Sequence, residues 1–194
     1  MKILFIVLGV VAILFIIFQL YFMNGQKNIE KYPYKVVTNY SDFEIRIYEA
    51  SLFTSVKLSN KTYKETSSKE FSILAGYIFG GNNKNEKIAM TSPVAMTIDD
   101  VTTMMFLVPK KYTKETLPKP DNADIEFTEM PAKKVAAITF SGWANDDKIK
   151  NYKEKLRTVL DKTGIKYTAN FYFLGYNAPF ELLNRKNEVI VQLE

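Results

Sequence analysis

Residues Ile3 to Phe22 form an apolar run broken only by Gly9, Ala12, Gln19 and Tyr21. Such a run constrains the chain more than any other stretch, because a segment placed in hydrocarbon must satisfy its own backbone hydrogen bonds and therefore be helical. At 1.5 Å per residue a helix of about 20 residues is roughly 30 Å long, the thickness of a bilayer's hydrocarbon core. Sixteen residues of the run are Ile, Leu, Val or Phe. At a few tenths of a kcal/mol each they favour insertion by roughly 5–10 kcal/mol, of which Gln19 takes some back. A cleaved signal peptide has an apolar core of only about 7–15 residues and ends at small residues; Phe22-Met23-Asn24-Gly25 offers no such site. The expectation is a single-pass N-terminal signal anchor over residues 1–23, a linker over 24–33 and one folded domain over 34–194.

The side of the membrane stays open. Lys2 precedes the run while Lys27, Lys31 and Lys35 follow it, which leans towards a cytoplasmic domain. A lone N-terminal anchor before a large C-terminal domain leans the other way.

After the anchor the chain is long enough for one domain with a sizeable core. The net charge of +5 comes from interspersed residues with no long basic run, so no nucleic-acid partner is expected. There is no cysteine and no histidine. This removes disulfides, thiol catalysis and Cys-ligated metal, together with the commonest general base, zinc ligand and haem ligand. No Ser-His-Asp or Cys-His set can form. Glu65, Glu70, Asp99 and Asp100 sit where solvated acids normally do, Asp99-Asp100 making a turn after a strand. The chain reads as a non-enzyme.

An internal repeat organises the domain. Asp42-Phe43-Glu44-Ile45 recurs as Asp124-Ile125-Glu126-Phe127 at an offset of 82, and without a gap Ala50 falls on Ala132, Phe53 on Val135, Val56 on Ile138, Leu58 on Phe140 and Ser59 on Ser141. Each copy, about 34–114 and 118–194, reads as strand, strand, helix and further strands. The spacing of Tyr63, Phe71, Leu74, Ala75 and Ile78 predicts a helix from about Thr62 to Gly80; that of Ile149, Tyr152, Leu156, Val159 and Leu160 predicts another from Asp146 to Thr163. Asn145 or Asp146 can cap the second helix and Gly164 can close it, while Gly80-Gly81-Asn82-Asn83 breaks the first. Strands are predicted over Ile88–Ile98, Thr103–Val108, Phe171–Tyr176 and Val189–Leu193. Neither unit can bury both a sheet face and an amphipathic helix alone, so the two should share one core. The predicted fold is α+β: two pseudo-symmetric βαββ-type repeats forming a mostly antiparallel sheet or distorted barrel of about eight strands, with two packed helices.

The stretch Lys87-Ile88-Ala89-Met90-Thr91-Ser92-Pro93-Val94-Ala95-Met96-Thr97 alternates with period two, placing Ile88, Met90, Val94, Met96 and Ile98 on one side and Ala89, Thr91, Ala95 and Thr97 on the other. Pro93 breaks it, since proline has no N–H for a ladder. Two soft methionines beside that break suit either a core gap or the wall of an adaptable apolar pocket.

This stretch closely resembles the signature of the SOUL haem-binding protein family. Further motifs follow the family's order: Phe43-Glu44-Ile45-Arg46-Ile47-Tyr48, Gly76-Tyr77-Ile78-Phe79-Gly80-Gly81-Asn82, Met105-Phe106-Leu107-Val108-Pro109 with Tyr112, Leu117-Pro118-Lys119-Pro120, Phe140-Ser141-Gly142-Trp143, Tyr176-Asn177-Ala178-Pro179-Phe180 and Arg185-Lys186-Asn187-Glu188-Val189. The resemblance implies paired βαββ units, an ordered connection over Lys110–Ala123, and binding of haem or another tetrapyrrole. It points to a slot between the first helix and the sheet, lined by Leu74, Tyr77, Ile78, Ile88, Met90, Val94 and Met96, with Lys87 and Arg46 as candidates for the propionates. Arg46 could equally pair with an acid across strands, and Trp143 is expected in the core. Some family members use a histidine ligand, which this chain lacks. Iron would be ligated by Met, Tyr or water, or the porphyrin held by apolar contact alone. The expected function is a membrane-anchored, non-catalytic haem carrier or buffer; the alternative is a membrane-tethered effector-sensing or interaction domain for another small apolar ligand or a partner peptide.

Overall fold

The computed structural model describes residues 2–25, 29–57, 63–98, 102–178 and 181–194, without the side chains of 20–25 and 64–70. The apolar run forms α1 (Lys2–Gly25). Among the described residues it is the one helix long and apolar enough to cross a membrane, over Lys2–Gln19 at a mean hydropathy of 2.7. Every side chain from Lys2 to Phe18 is exposed, whereas Gln19 is buried.

The domain follows in the order β1 (Glu30–Lys31), β2 (Tyr34–Asn39), β3 (Glu44–Tyr48), β4 (Ser51–Lys57), α2 (Tyr63–Ile78), β5 (Thr91–Ser92), β6 (Val94–Thr97), β7 (Thr103–Leu107), β8 (Ile125–Met130), β9 (Lys133–Ser141), α3 (Asp146–Thr163), β10 (Tyr167–Gly175) and β11 (Lys186–Leu193). Nine strands form one open sheet in the order β2-β3-β9-β11-β10-β6-β7-β4-β8, antiparallel at every step. Exchanging β3 with β8, β4 with β9, β6 with β10 and β7 with β11 and reading backwards returns the order from β3 to β8 unchanged. The opening strand of each half lies against the second strand of the other, β3 on β9 and β8 on β4. The fold is α+β, as expected, with nine strands in the main sheet where about eight were predicted.

Strand periodicity sorts the core into two layers. Ile45, Val56, Met96, Met104, Phe106, Ile138, Phe173, Val189 and Val191 face the helices and pack with Leu74, Tyr77, Ile78, Ile149, Leu156 and Leu160. The alternate residues Phe53, Ala95, Met105, Val135, Ala137, Leu174 and Ile190 face the other way, under Tyr32 and Tyr48. Both faces of the sheet therefore carry a buried layer, one against the helices and one that includes Tyr32 of the N-terminal segment. Glu30–Lys31, within the stretch expected to be linker, pairs in parallel with Thr91–Ser92.

Pro93 separates β5 from β6, and Ile88–Met90 lies outside the strands, so the expected strand over Ile88–Ile98 is shorter and split. Strands β10 and β11 instead begin earlier than predicted. Helix α3 has the predicted bounds: the Asn145 side chain accepts from the Lys148 N–H at 2.8 Å, and Gly164 closes it at φ 68°. Beyond α2 the chain turns back so closely that a Cβ on Gly81 would sit 2.8 Å from the Gly76 carbonyl oxygen. Asn82 then anchors the turn, donating to the Tyr77 and Glu86 carbonyls and accepting from the Lys84 and Glu86 N–H groups. The connection over Lys110–Ala123 is tied to this turn by Tyr77, whose hydroxyl donates to the Pro118 carbonyl at 2.8 Å, and by the Asn83–Lys119 pair.

Candidate functional site

The seven apolar residues expected to line the slot do meet in one layer. Leu74, Tyr77, Ile78, Ile88 and Met96 are between 0% and 5% exposed, and Met90 and Val94 pack at their margin half-buried. They pack between α2 and the sheet. Tyr77 is committed to Pro118, and burial pushes its phenol up to about 12. Lys87 is exposed.

Arg46 is not brought to this layer. On β3 it shares a face with Glu44 and Tyr48, opposite Ile45, so its guanidinium lies on the far side of the sheet from α2. There it donates to both carboxylate oxygens of Glu188 at 2.9 and 3.0 Å and to Glu44 at 2.7 Å. Tyr176 donates to Glu188 at 2.6 Å, Thr139 at 3.2 Å, and the Lys186 ammonium stands 2.9 Å away. Burial raises the Glu188 pKa, yet the hydrogen bonds and charge of Arg46, then Tyr176 and Lys186, outweigh it and hold the carboxyl below the usual carboxylate range. The cross-strand pairing considered for Arg46 is thus found inside the fold rather than on its solvent side. Glu188 carried a faint sequence signal: it is an acid directly before the unbroken apolar run Val189-Ile190-Val191.

Two further features were missed by sequence reasoning. Lys133 is buried on the same face, its ammonium 3.9 Å from the Tyr172 ring centroid and 3.9 Å from the Met130 sulfur, and burial lowers its pKa to about 8. An open groove of about 470 Å³ lies beside it, with Leu52, Tyr112, Met130 and Pro131 as apolar walls and Lys114, Glu115 and Glu129 as charged lining. Trp143, expected in the core, is 53% exposed, because Gly142 at φ 82° turns the chain outward before α3 and Arg185 stacks 4.0 Å over the indole. Asp99 and Asp100 lie outside the described residues, as do Leu58 and Ser59 of the repeat, and so do the side chains of Glu65 and Glu70. Among the described residues no three His, Cys, Asp or Glu side chains gather as a metal site.

A tetrapyrrole needs a broad apolar face, cations for its propionates and room. The α2 layer supplies apolar surface and the exposed Lys87, whereas the groove supplies volume, a thioether in Met130 and a cation in Lys114.

These elements define an α+β domain built on one large antiparallel sheet. A family model described as SOUL heme-binding protein matches residues 29–192. The chain belongs to that family. It is 29% identical over 156 residues to heme-binding protein 1 of Xenopus laevis, covering 76% of this chain and 81% of that protein. Heme-binding protein 2 of Mus musculus is 26% identical over 168 residues, 82% of each chain. Among solved structures the C-terminal domain of EcmrR superposes with a TM-score of 0.63 at 11% identity, over 83% of this chain and 98% of that one. A hydrolase from Listeria innocua superposes at 0.53 and 9% identity, over 81% and 94%. Both likenesses concern the fold alone.

Proposed function

We propose that this protein is a membrane-tethered, non-catalytic binder of haem or a related tetrapyrrole, serving as a carrier or buffer. The observation that carries this reading is the family match over 29–192. Exposed α1 supports the tether by its length and composition. With no histidine or cysteine in the chain, retention rests on apolar contact, with methionine, tyrosine or water as the groups open to iron. Bound haem would supply its own redox and ligand chemistry; the chain's part is to hold it out of water.

The proposed contact surface is Leu74, Tyr77, Ile78, Ile88, Met90, Val94 and Met96, with Lys87 for a propionate. Met90 and Val94, half-buried at the margin, are what a ligand meets first, ahead of the buried Leu74, Ile78, Ile88 and Met96. The groove at Leu52, Tyr112 and Met130 is a second location, favoured by its open volume.

Hemin titration followed by absorbance tests both. A saturable, shifted Soret band at micromolar hemin is expected, without the low-spin spectrum of bis-histidine ligation. If α2 holds the ligand, a folded Val94→Asp protein loses binding because an unpaired carboxylate enters apolar surface; if the groove does, Met130→Asp loses it and Val94→Asp does not. Met90→Leu and Met96→Leu keep the volume, so affinity falls by no more than about 1.5 kcal/mol where packing dominates. Abolished binding in either marks that methionine as the iron ligand. Featureless, unsaturable uptake overturns the haem reading and favours a sensing or peptide-binding domain.

A further inference from the structure

We infer that the surface formed by Trp143, Leu182 and Leu183 sits in the interfacial layer of the bilayer that α1 enters, so that the domain docks on lipid instead of hanging free from its anchor. This rests on the membrane reading of α1. The three side chains are 53%, 46% and 54% exposed, a cost that a soluble face with no apolar partner gains nothing from.

Arg185 joins them into one surface. Its guanidinium lies over the Trp143 ring and donates to the Ala178 and Glu181 carbonyls, fixing the loop that carries Leu182 and Leu183. The Gly142 N–H donates to the Arg185 carbonyl, and Asn187 donates to the Gly142 carbonyl at 2.8 Å, so the indole and the loop are held together by backbone.

α1 leaves the domain at this place. The Leu182 N–H donates to the Gln19 side-chain oxygen at 3.3 Å, and Gln19 is the first residue of the helix to be buried. A span ending at Phe22 puts Gln19 about 4.5 Å inside the apolar boundary at 1.5 Å per residue. Leu182, touching Gln19, is thereby brought to the membrane surface. Tryptophan with its polar N–H beside leucine side chains is the composition that settles between headgroups and acyl chains. Asp146 and Asp147 open α3 close behind Trp143, so the surface is not strongly basic and a zwitterionic lipid suffices.

Trp143 is the only tryptophan in the chain, so its fluorescence reports this surface alone. The test uses the full chain in phosphatidylcholine vesicles. Expected are blue-shifted emission, severalfold weaker quenching by aqueous acrylamide than for a free tryptophan derivative, and stronger quenching by a nitroxide at the lipid headgroup than by one at the chain terminus. The double variant Leu182→Ser, Leu183→Ser changes side chains that are already exposed, and should restore acrylamide quenching while the protein stays with the vesicles. Trp143 quenched like free tryptophan, and by no nitroxide lipid, in protein that co-sediments with vesicles overturns the docking alone. Shielding that vanishes on dilution within the membrane, without nitroxide quenching, also overturns it and points to a second copy on this surface. Protein that washes off the vesicles in carbonate overturns the anchor and the docking together.

Discussion

The Arg46 guanidinium grips the Glu188 carboxylate by two hydrogen bonds of 2.9 and 3.0 Å, across 142 positions of sequence and over the intervening strand β9. The small Ala137 on β9 is register-paired with both Glu44 and Ile190, leaving room for the two side chains to meet above it. Arg46→Ala should therefore cost about 3–5 kcal/mol in chemical denaturation, because it strands a buried charge. The folded Glu188 pKa is lowered, so its contribution is fully present above the unfolded carboxyl value of about 4.3 and is lost as pH falls through the folded one. Acid should destabilise the natural protein more steeply than Glu188→Gln.

Lys133 acts in the opposite sense. Its folded pKa of about 8 lies below the ordinary lysine value of 10.5, so folding disfavours the ammonium; the cost is full below the folded value and is relieved as pH rises towards the unfolded one. The Tyr172 ring offsets part of it. Lys133→Met should stabilise the domain by about 1–3 kcal/mol at neutral pH, and thermal unfolding at rising pH should show that gain shrinking.

The halves 34–114 and 118–194 should each fold poorly alone and recover structure when mixed. Without the second half β3 loses β9, and without the first β8 loses β4, so each half exposes a strand edge and a helix-facing layer. Dispersed NMR spectra from either half alone would show independent domains instead.

Full-length protein should fractionate with membranes and resist carbonate, whereas a form beginning at Asn24 should be soluble and monomeric. Recovery of full-length material in the soluble fraction at a shortened mass would identify residues 1–23 as a cleaved signal.

Local chemistry was written in the sequence. The spacing of Ile149, Leu156 and Leu160 with Asn145 and Gly164 at the ends defines α3, because helix period and caps depend on residues within a few positions of one another. The alternation of Met96 with Ala95 likewise foretold which side chain faces the helices. The apolar run announced α1 without any tertiary help. Pairings between distant strands were another matter. Arg46 reads alike whether its partner is a propionate, a surface acid or Glu188, and only the order β3-β9-β11 decides. Trp143 reads as core by composition; the turn at Gly142 and the stacking of Arg185 put it outside. The slot residues share one packed layer with α2, but whether such a layer holds a ligand depends on how α2 settles on the sheet. That is a sum over many weak contacts between elements far apart in the chain, which no local pattern records.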